Sequence, residues 1–199
     1  IIKDEPEVLE GFEEKYKNRF KFLEDYQNIK YAEKFGDLVS YARKIDKNIG
    51  NGSQFSTAVL KNYFKLMAYK DEYEVSRLMT NKKFVDDVNK NFEGNFNYNF
   101  YLAPPIFSKK SKVDGKLLKI KFGGWLFNVF KLLSKFKFLR GTKLDPFGYL
   151  NERKKERELI RDYRQTITDI GTKINKSNYE TAVKIASIPD QIRGFGHVK

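Results

Sequence analysis

Apolar residues recur every three or four positions over most of this 199-residue chain, which is the period of a helix that buries one face. Four such series are long enough to predict helices. They begin at Phe12, Tyr31, Phe55 and Leu159. Gly50-Asn51-Gly52 follows the second series, and because glycine readily adopts the left-handed conformation that ends helices, we expect that helix to end there.

Short polar side chains mark where the third of these helices and one further helix begin. Ser53 precedes the third series and is a preferred N-cap residue, so we expect it to cap a helix that continues past Lys70 toward Leu78. Ser177-Asn178-Tyr179-Glu180 has the spacing of a capping box and predicts a last helix that ends before Pro189.

The period changes from helical to alternating in the middle of the chain. Polar and aromatic residues alternate strictly over Asn95–Phe100, and lysine alternates with Ile and Phe over Lys119–Phe122. Asp114-Gly115 between these runs is typical of a tight turn. The predicted fold class is therefore mainly α, a helical domain with a small antiparallel β-hairpin inserted around residues 95–122.

The composition limits the chemistry that this chain can perform. It has no cysteine and a single histidine, His197, which excludes disulfides, all-cysteine iron–sulfur clusters, a thiol nucleophile and histidine-rich zinc sites. No phosphate-binding glycine loop and no spaced set of carboxylates is present. We therefore predict no catalytic residue and no metal-binding residue.

Hydrophobic residues make up 40% of the chain and charged residues 33%, as in a folded globular domain. No signal-peptide pattern and no apolar run of about eighteen residues is present, which favours a cytoplasmic location. The sequence shows no linker, and it begins with Ile1-Ile2-Lys3 where an initiator Met would stand. We expect residues 1–199 to form a single accessory domain, a fragment of a longer multidomain chain.

The net charge of +13 is concentrated in one segment. Between Ser108 and Lys143 the chain carries eleven basic residues and one acidic residue, Asp114. Eight of these lysines, all between Lys109 and Lys135, are predicted to bind a partner, together with two arginines that each precede a glycine. The candidate partner-binding residues are Lys109, Lys110, Lys112, Lys116, Lys119, Lys121, Lys131, Lys135, Arg140 and Arg193.

This charge has several interpretations. Nucleic acid is disfavoured, because Arg140 is the only arginine in the segment and no nucleic-acid-binding motif accompanies it. A helix predicted over Trp125–Leu139 has a wide apolar face and lysines opposite, as in helices that lie on anionic membranes, but core helices share this pattern. The lysines also suit an acidic protein, a solvated surface or a protected sheet edge. Arg140 and Arg193 equally suit closing turns in which the arginine pairs with a helix C-terminus or a carboxylate.

Three blocks rich in glycine, proline and aromatic residues, Tyr101–Pro105, Arg140–Tyr149 and Ile192–Lys199, do not follow from helical period, because such residues specify particular turns. Two further blocks join them in a resemblance to a known family. The five blocks are Asn62–Val75, Phe92-Glu93-Gly94, Tyr101–Pro105, Arg140–Tyr149 and Ile192–Lys199. In this order they resemble the C-terminal region of the large single-chain indolepyruvate ferredoxin oxidoreductases. The matching blocks run from about Tyr26 to Lys199.

The resemblance implies that a parent enzyme carries the chemistry. In that family thiamine diphosphate, held with magnesium, decarboxylates a 2-oxo acid, iron–sulfur clusters carry electrons, coenzyme A takes the acyl group, and ferredoxin is reduced. This chain has neither a Gly-Asp-Gly type motif nor any cysteine, so no catalytic residue transfers to it and no cofactor is expected in it. The resemblance implies a non-catalytic accessory domain whose partners are the catalytic domains of the parent chain.

The basic segment then has three possible roles in such an enzyme. It docks acidic ferredoxin, it orients the phosphates of coenzyme A, or it is only solvated on a structural scaffold that covers or dimerises the catalytic domains. Homo-oligomers are compatible with the scaffold role. Attachment to a membrane ranks last, and burial of Trp125, Phe130 and Phe136 in a core would rule it out.

Overall fold

A computed structural model describes residues 11–92, 97–102 and 118–192 of the chain. The helices of these residues are α1 (Phe12–Tyr26), α2 (Ile29–Ile49), α3 (Gln54–Met67), α4 (Glu72–Met79), α5 (Lys82–Asn91), α6 (Trp125–Lys135), α7 (Asn151–Gly171) and α8 (Tyr179–Ala186). Two strands, β1 (Phe100–Leu102) and β2 (Ile120–Phe122), pair antiparallel. Short 3₁₀ helices occupy Phe136–Leu139 and Ile188–Gln191. The predicted mainly-α fold with a small antiparallel β element is confirmed.

The chain divides into two compact units. The larger unit consists of Ile1–Lys70 and Phe138–Lys199, and the smaller unit is Asp71–Lys137. The larger unit therefore contains α1, α2, α3, α7 and α8, and the smaller unit contains α4, α5, α6 and both strands.

Aromatic residues form much of the core of the larger unit, where α2 packs on α1, α3 and α7, and α3 packs on α7 and α8. Phe35 of α2 stacks on Tyr16 with ring centroids 5.9 Å apart and on Tyr63 of α3 at 6.3 Å. Tyr63 in turn stacks on Tyr163 of α7 at 5.8 Å. These residues occupy the apolar positions of their helices, so the helical period in the sequence reflects one shared core.

One buried carboxylate joins three helices of this unit. Asp46 near the end of α2 accepts a hydrogen bond from the Ser56 backbone N–H at 2.8 Å and from the Tyr179 hydroxyl at 2.6 Å. Ser53 does occupy the N-cap position of α3, but its side chain makes no capping hydrogen bond. Asp46 therefore takes the capping role that the sequence assigned to Ser53, because its carboxylate reaches the first turn of α3 from a neighbouring helix.

Two other sequence-based expectations about helix ends were wrong. Helix α3 ends at Met67, well before Leu78, because Asp71 begins a new helix by accepting a hydrogen bond from the Glu74 backbone N–H at 2.8 Å. The capping box before α8 does not form, although α8 begins where it was predicted. Asn178 accepts instead from the Asn175 backbone N–H, at 2.8 Å.

In the smaller unit α4 packs against α6, and β1 and β2 contact α6 through aromatic rings. Phe100 pairs with Phe122, Tyr101 with Lys121 and Leu102 with Ile120. The Phe100 ring meets Phe130 of α6 edge-on at 5.2 Å, and Tyr98 stacks on Phe127 at 5.6 Å. β2 lies where it was predicted, whereas β1 begins at Phe100, the last residue of the predicted strand, and the predicted turn at Asp114-Gly115 lies outside the described residues.

Candidate functional site

The predicted partner-binding lysines that the structure describes all belong to the smaller unit. Lys119 and Lys121 lie in or beside β2, and Lys131 and Lys135 lie on α6, and all four side chains are exposed. Lys109, Lys110, Lys112, Lys116 and Arg193 lie outside the described residues, as does His197. The described part of the candidate site therefore consists of β2, the residue before it and α6.

The four lysines form two groups on opposite sides of the sheet. Phe100 and Phe122 are cross-strand partners, and both rings contact α6 residues, which places that face of the sheet toward α6. Because side chains alternate along a strand, Tyr101 and its partner Lys121 lie on the other face, together with Lys119. Lys131 and Lys135 instead lie one helical turn apart on α6, and the Lys131 ammonium is 4.7 Å from the centre of the Phe127 ring.

Helix α6 is only partly buried. Leu126 and Phe130 are buried, whereas Trp125, Val129 and Leu132 are 60%, 42% and 59% exposed. Phe136, in the 3₁₀ turn after the helix, is also exposed. The burial that would exclude membrane attachment thus holds for Phe130 but not for Trp125 or Phe136. No helix of the described residues is long and apolar enough to cross a membrane.

Arg140 is not on the surface with the lysines, since it belongs to the larger unit and is 4% exposed. Its guanidinium carbon lies 3.6 Å from the centre of the Tyr26 ring, and its Nη1 donates to the Tyr26 carbonyl at the end of α1. Its own carbonyl accepts from Gln27 Nε2 at 3.3 Å. These contacts match the structural interpretation, in which the arginine pairs with a helix C-terminus.

The loop after Arg140 folds around a second buried carboxylate. Asp145 accepts from the Gly141 backbone N–H at 2.7 Å and from the Phe147 N–H at 3.1 Å. Gly141 has a φ of 74°, and a Cβ on Gly148 would lie 2.6 Å from an Asp145 carboxylate oxygen. Both glycines are therefore required by the turn itself. The dense Arg140–Tyr149 block is explained by this local geometry without a ligand.

Nothing in the described part of the larger unit resembles a catalytic centre. A depression of about 510 Å³ lies beside Asp46, but that carboxylate is already satisfied by Ser56 and Tyr179. Burial, and next the hydrogen bond to Asp46, raise the pKa of the Tyr179 phenol. Across residues 11–92, 97–102 and 118–192, no cluster of three or more His, Cys, Asp or Glu side chains could hold a metal ion.

Sequence reasoning left undecided whether the apolar residues of α6 are exposed. The wide apolar face fits an exposed amphipathic helix, but it also fits a fully buried core helix. Burial separates the two cases only after the positions of α4 and the strands are known.

The comparisons with known proteins give the family and no activity. Neither the curated proteins nor the solved structures include a significant match to this chain. One family matches residues 12–199, which is nearly the whole chain, and it is described as a family of unknown function. The chain belongs to this family, DUF6537.

Proposed function

We propose that this chain is a non-catalytic accessory domain of a thiamine-diphosphate- and iron–sulfur-dependent 2-oxoacid ferredoxin oxidoreductase of the indolepyruvate type, acting in the cytoplasm. In this role it docks the acidic electron carrier ferredoxin. The support from sequence is that five blocks of the chain resemble, in the same order, the C-terminal region of those enzymes. The chain has no cysteine and cannot itself bind all-cysteine clusters, so the redox centres belong to other domains of the parent enzyme.

The observation that carries the docking role is the charge of the smaller unit. Its four described candidate lysines are exposed, and Lys131 and Lys135 stand one turn apart on a helix with no acidic residue. A local basic field increases the rate of encounter with an acidic protein and weakens as salt is added. Both lysine groups adjoin exposed apolar side chains, but those on α6, Trp125, Val129 and Leu132, lie in a single row along the helix, and we therefore take the α6 group as the docking centre.

A second candidate, a structural scaffold for the catalytic domains, is favoured by Arg140. This arginine was a candidate for partner binding, yet its guanidinium stacks on Tyr26 inside the larger unit. Arg140 therefore supports folding of the unit and is not itself exposed for docking.

The test compares two acceptors in the complete oxidoreductase. Lys119, Lys121, Lys131 and Lys135 are changed together to Glu, and the KM for acidic ferredoxin and the rate with a small viologen dye are measured. The matched control reverses four exposed lysines of the larger unit, Lys154, Lys173, Lys176 and Lys184, which gives the same change in net charge. Cofactor content is measured in each variant.

Docking predicts that the KM for ferredoxin rises about tenfold or more in the first variant, while the control variant and dye reduction stay near the wild type. Docking also predicts that the difference in KM for ferredoxin between the first variant and the wild type becomes smaller as salt is added. Equal effects of the two charge reversals, or loss of both activities together with cofactors, would reject docking in favour of the scaffold.

A further inference from the structure

Helix α6 has one face committed to its own unit and another left open. Leu126 and Phe130 are buried, and Phe130 receives the edge of the Phe100 ring from β1. Trp125, Val129 and Leu132 are spaced by four and three residues, so they lie in one narrow sector of the helix surface at about 100° per residue. We call these three residues the apolar stripe.

The apolar stripe is exposed along its whole length. Trp125 and Leu132 each leave more than half of their surface accessible, and Trp125 touches its own unit through an edge contact with Phe122, with ring centroids 6.2 Å apart. Single exposed apolar residues are common on protein surfaces, but a row of three large ones along two helical turns marks an interaction site. A wide aromatic ring with little conformational freedom is also the side-chain type that most often anchors protein interfaces.

Positive charge lies along one side of the stripe. At 100° per residue, exposed Lys135 lies about 60° from Leu132 around the helix, and exposed Lys131 lies about 100° from it with its ammonium over the Phe127 ring. We call these two residues the basic edge. The opposite side of the stripe borders the buried residues Leu126 and Phe130. Around α6 the surface thus changes from buried, to exposed apolar, to exposed basic.

We infer that the apolar stripe and the basic edge together form one docking surface for an acidic protein whose contact area has an apolar centre bordered by carboxylates. Trp125 and Leu132 bury against that centre, while Lys131 and Lys135 pair with the carboxylates. This inference rests on the proposed function, because it specifies how the electron carrier is recognised. Charge complementarity selects the partner, and the stripe slows its dissociation.

The same features disfavour two other occupants. A second copy of this chain would bring another pair of lysines to the stripe, and like charges at an interface oppose association. A membrane surface is bound by a helix that presents its full apolar face with basic residues along it, whereas Leu126 and Phe130 are used inside the unit. The remaining row is one residue wide and three residues long, which suits the small central contact of a protein interface.

The chain reports on this contact without a label, because Trp125 is its only tryptophan. Trp125 emission is recorded during three separate additions: purified acidic ferredoxin, vesicles of phosphatidylcholine with 30% phosphatidylserine, and buffer alone. In a second measurement, the mass of the chain in solution is determined by sedimentation. The variants are Leu132→Ser, the double variant Lys131→Glu with Lys135→Glu, and the control Leu144→Ser. Leu144 is an exposed leucine of the larger unit.

The expected result is a change of Trp125 emission with ferredoxin alone. The Kd for ferredoxin should rise about five- to tenfold in Leu132→Ser, at both low and high salt. In the double lysine variant the Kd should rise mainly at low salt, and in Leu144→Ser it should stay unchanged. The KM for ferredoxin in the complete oxidoreductase should follow the same order. Because Leu132 and Leu144 are both exposed, neither substitution is expected to affect folding.

Other outcomes overturn the inference in distinguishable ways. One such outcome is that the lysine reversals raise the KM for ferredoxin, while Leu132→Ser leaves it unchanged and ferredoxin does not alter Trp125 emission. The basic residues would then dock ferredoxin without the apolar stripe. If ferredoxin has no effect in any assay, the proposed function falls as well. If vesicles alone shift the emission, the surface binds lipid, and if the mass doubles in wild type but not in Leu132→Ser, it binds a second copy.

Discussion

At the scale of single residues, the positively charged side chains of this protein differ in whether they are exposed to solvent or packed inside the protein. The Lys131 and Lys135 side chains stand in solvent, where their charge is available to a partner. The Arg140 guanidinium carbon instead lies 3.6 Å from the centre of the Tyr26 ring, and its Nη1 donates to the carbonyl at the end of α1. A planar guanidinium offers five donors in a fixed geometry beside such a ring, which a compact ammonium group does not reproduce.

Replacement of Arg140 by Lys should therefore destabilise the larger unit even though the charge is kept. We expect the free energy of unfolding to fall by about 1–3 kcal/mol, because the stacking on Tyr26 and the hydrogen bond to its carbonyl are both weakened in a buried site. Denaturant unfolding measures this change. The control is Lys143→Ala, an exposed residue of the same loop, which should stay within about 0.5 kcal/mol of wild type. A stable Arg140→Lys protein would contradict the structural role.

At the scale of secondary-structure elements, the apolar period located the helices but did not identify what caps them. Helix α2 ends at Gly50, which adopts φ 70° as expected from its sequence. The N-terminus of α3 is served by Asp46, ten residues before Ser56 and on another helix. Local spacing finds a cap only when the capping group is a sequence neighbour, so contacts made through folding stay invisible to it.

The two candidate caps of α3 should differ sharply on substitution. Asp46→Ala leaves the Ser56 N–H and the Tyr179 hydroxyl without their acceptor in a buried site, and we expect a loss of about 2–3 kcal/mol in the free energy of unfolding. Ser53→Ala removes a side chain that makes no capping hydrogen bond, so it should cost less than about 0.5 kcal/mol. Urea titrations of both variants provide the comparison, and a larger loss in Ser53→Ala would assign the cap to Ser53.

The candidate site shows the same limit of sequence reasoning. The concentration of lysines is a property of composition, so it was predictable. Which half of α6 is buried depends on α4 and on Phe100 and Tyr98, all of which lie more than twenty residues away from α6 along the chain. The apolar face of Trp125–Leu139 therefore gave the helix correctly and left the exposure of Trp125 open.

At the scale of the whole molecule, most of the buried tyrosines belong to the larger unit. Tyr26, Tyr63, Tyr163 and Tyr179 are almost completely buried there. The buried phenols give the larger unit a specific dependence on pH.

Burial raises the pKa of Tyr63, Tyr163 and Tyr179 above that of a free phenol, and the charge of Asp190 adds to the effect on Tyr163. Unfolded tyrosines lose their protons near pH 10, whereas the buried ones keep theirs in the native state. Above pH 10 the native state therefore binds more protons than the unfolded state, so stability falls as pH rises. Each such group contributes up to about 1.4 kcal/mol per pH unit while only its unfolded form is ionised.

We expect the urea midpoint to be lower at pH 10.5 than at pH 8, with phenolate absorbance that increases together with unfolding instead of before it. Lysines also titrate in this range, so the decisive comparison is with Tyr163→Phe. That variant loses the hydrogen bond from the phenol to the Ala186 carbonyl, 2.8 Å long, and should be less stable at pH 8. Its stability should nevertheless fall less steeply between pH 8 and 10.5, because one buried phenol no longer contributes. Identical slopes in the two proteins would show that Tyr163 ionises as easily in the native state as in the unfolded chain, and that burial in the larger unit does not protect its proton.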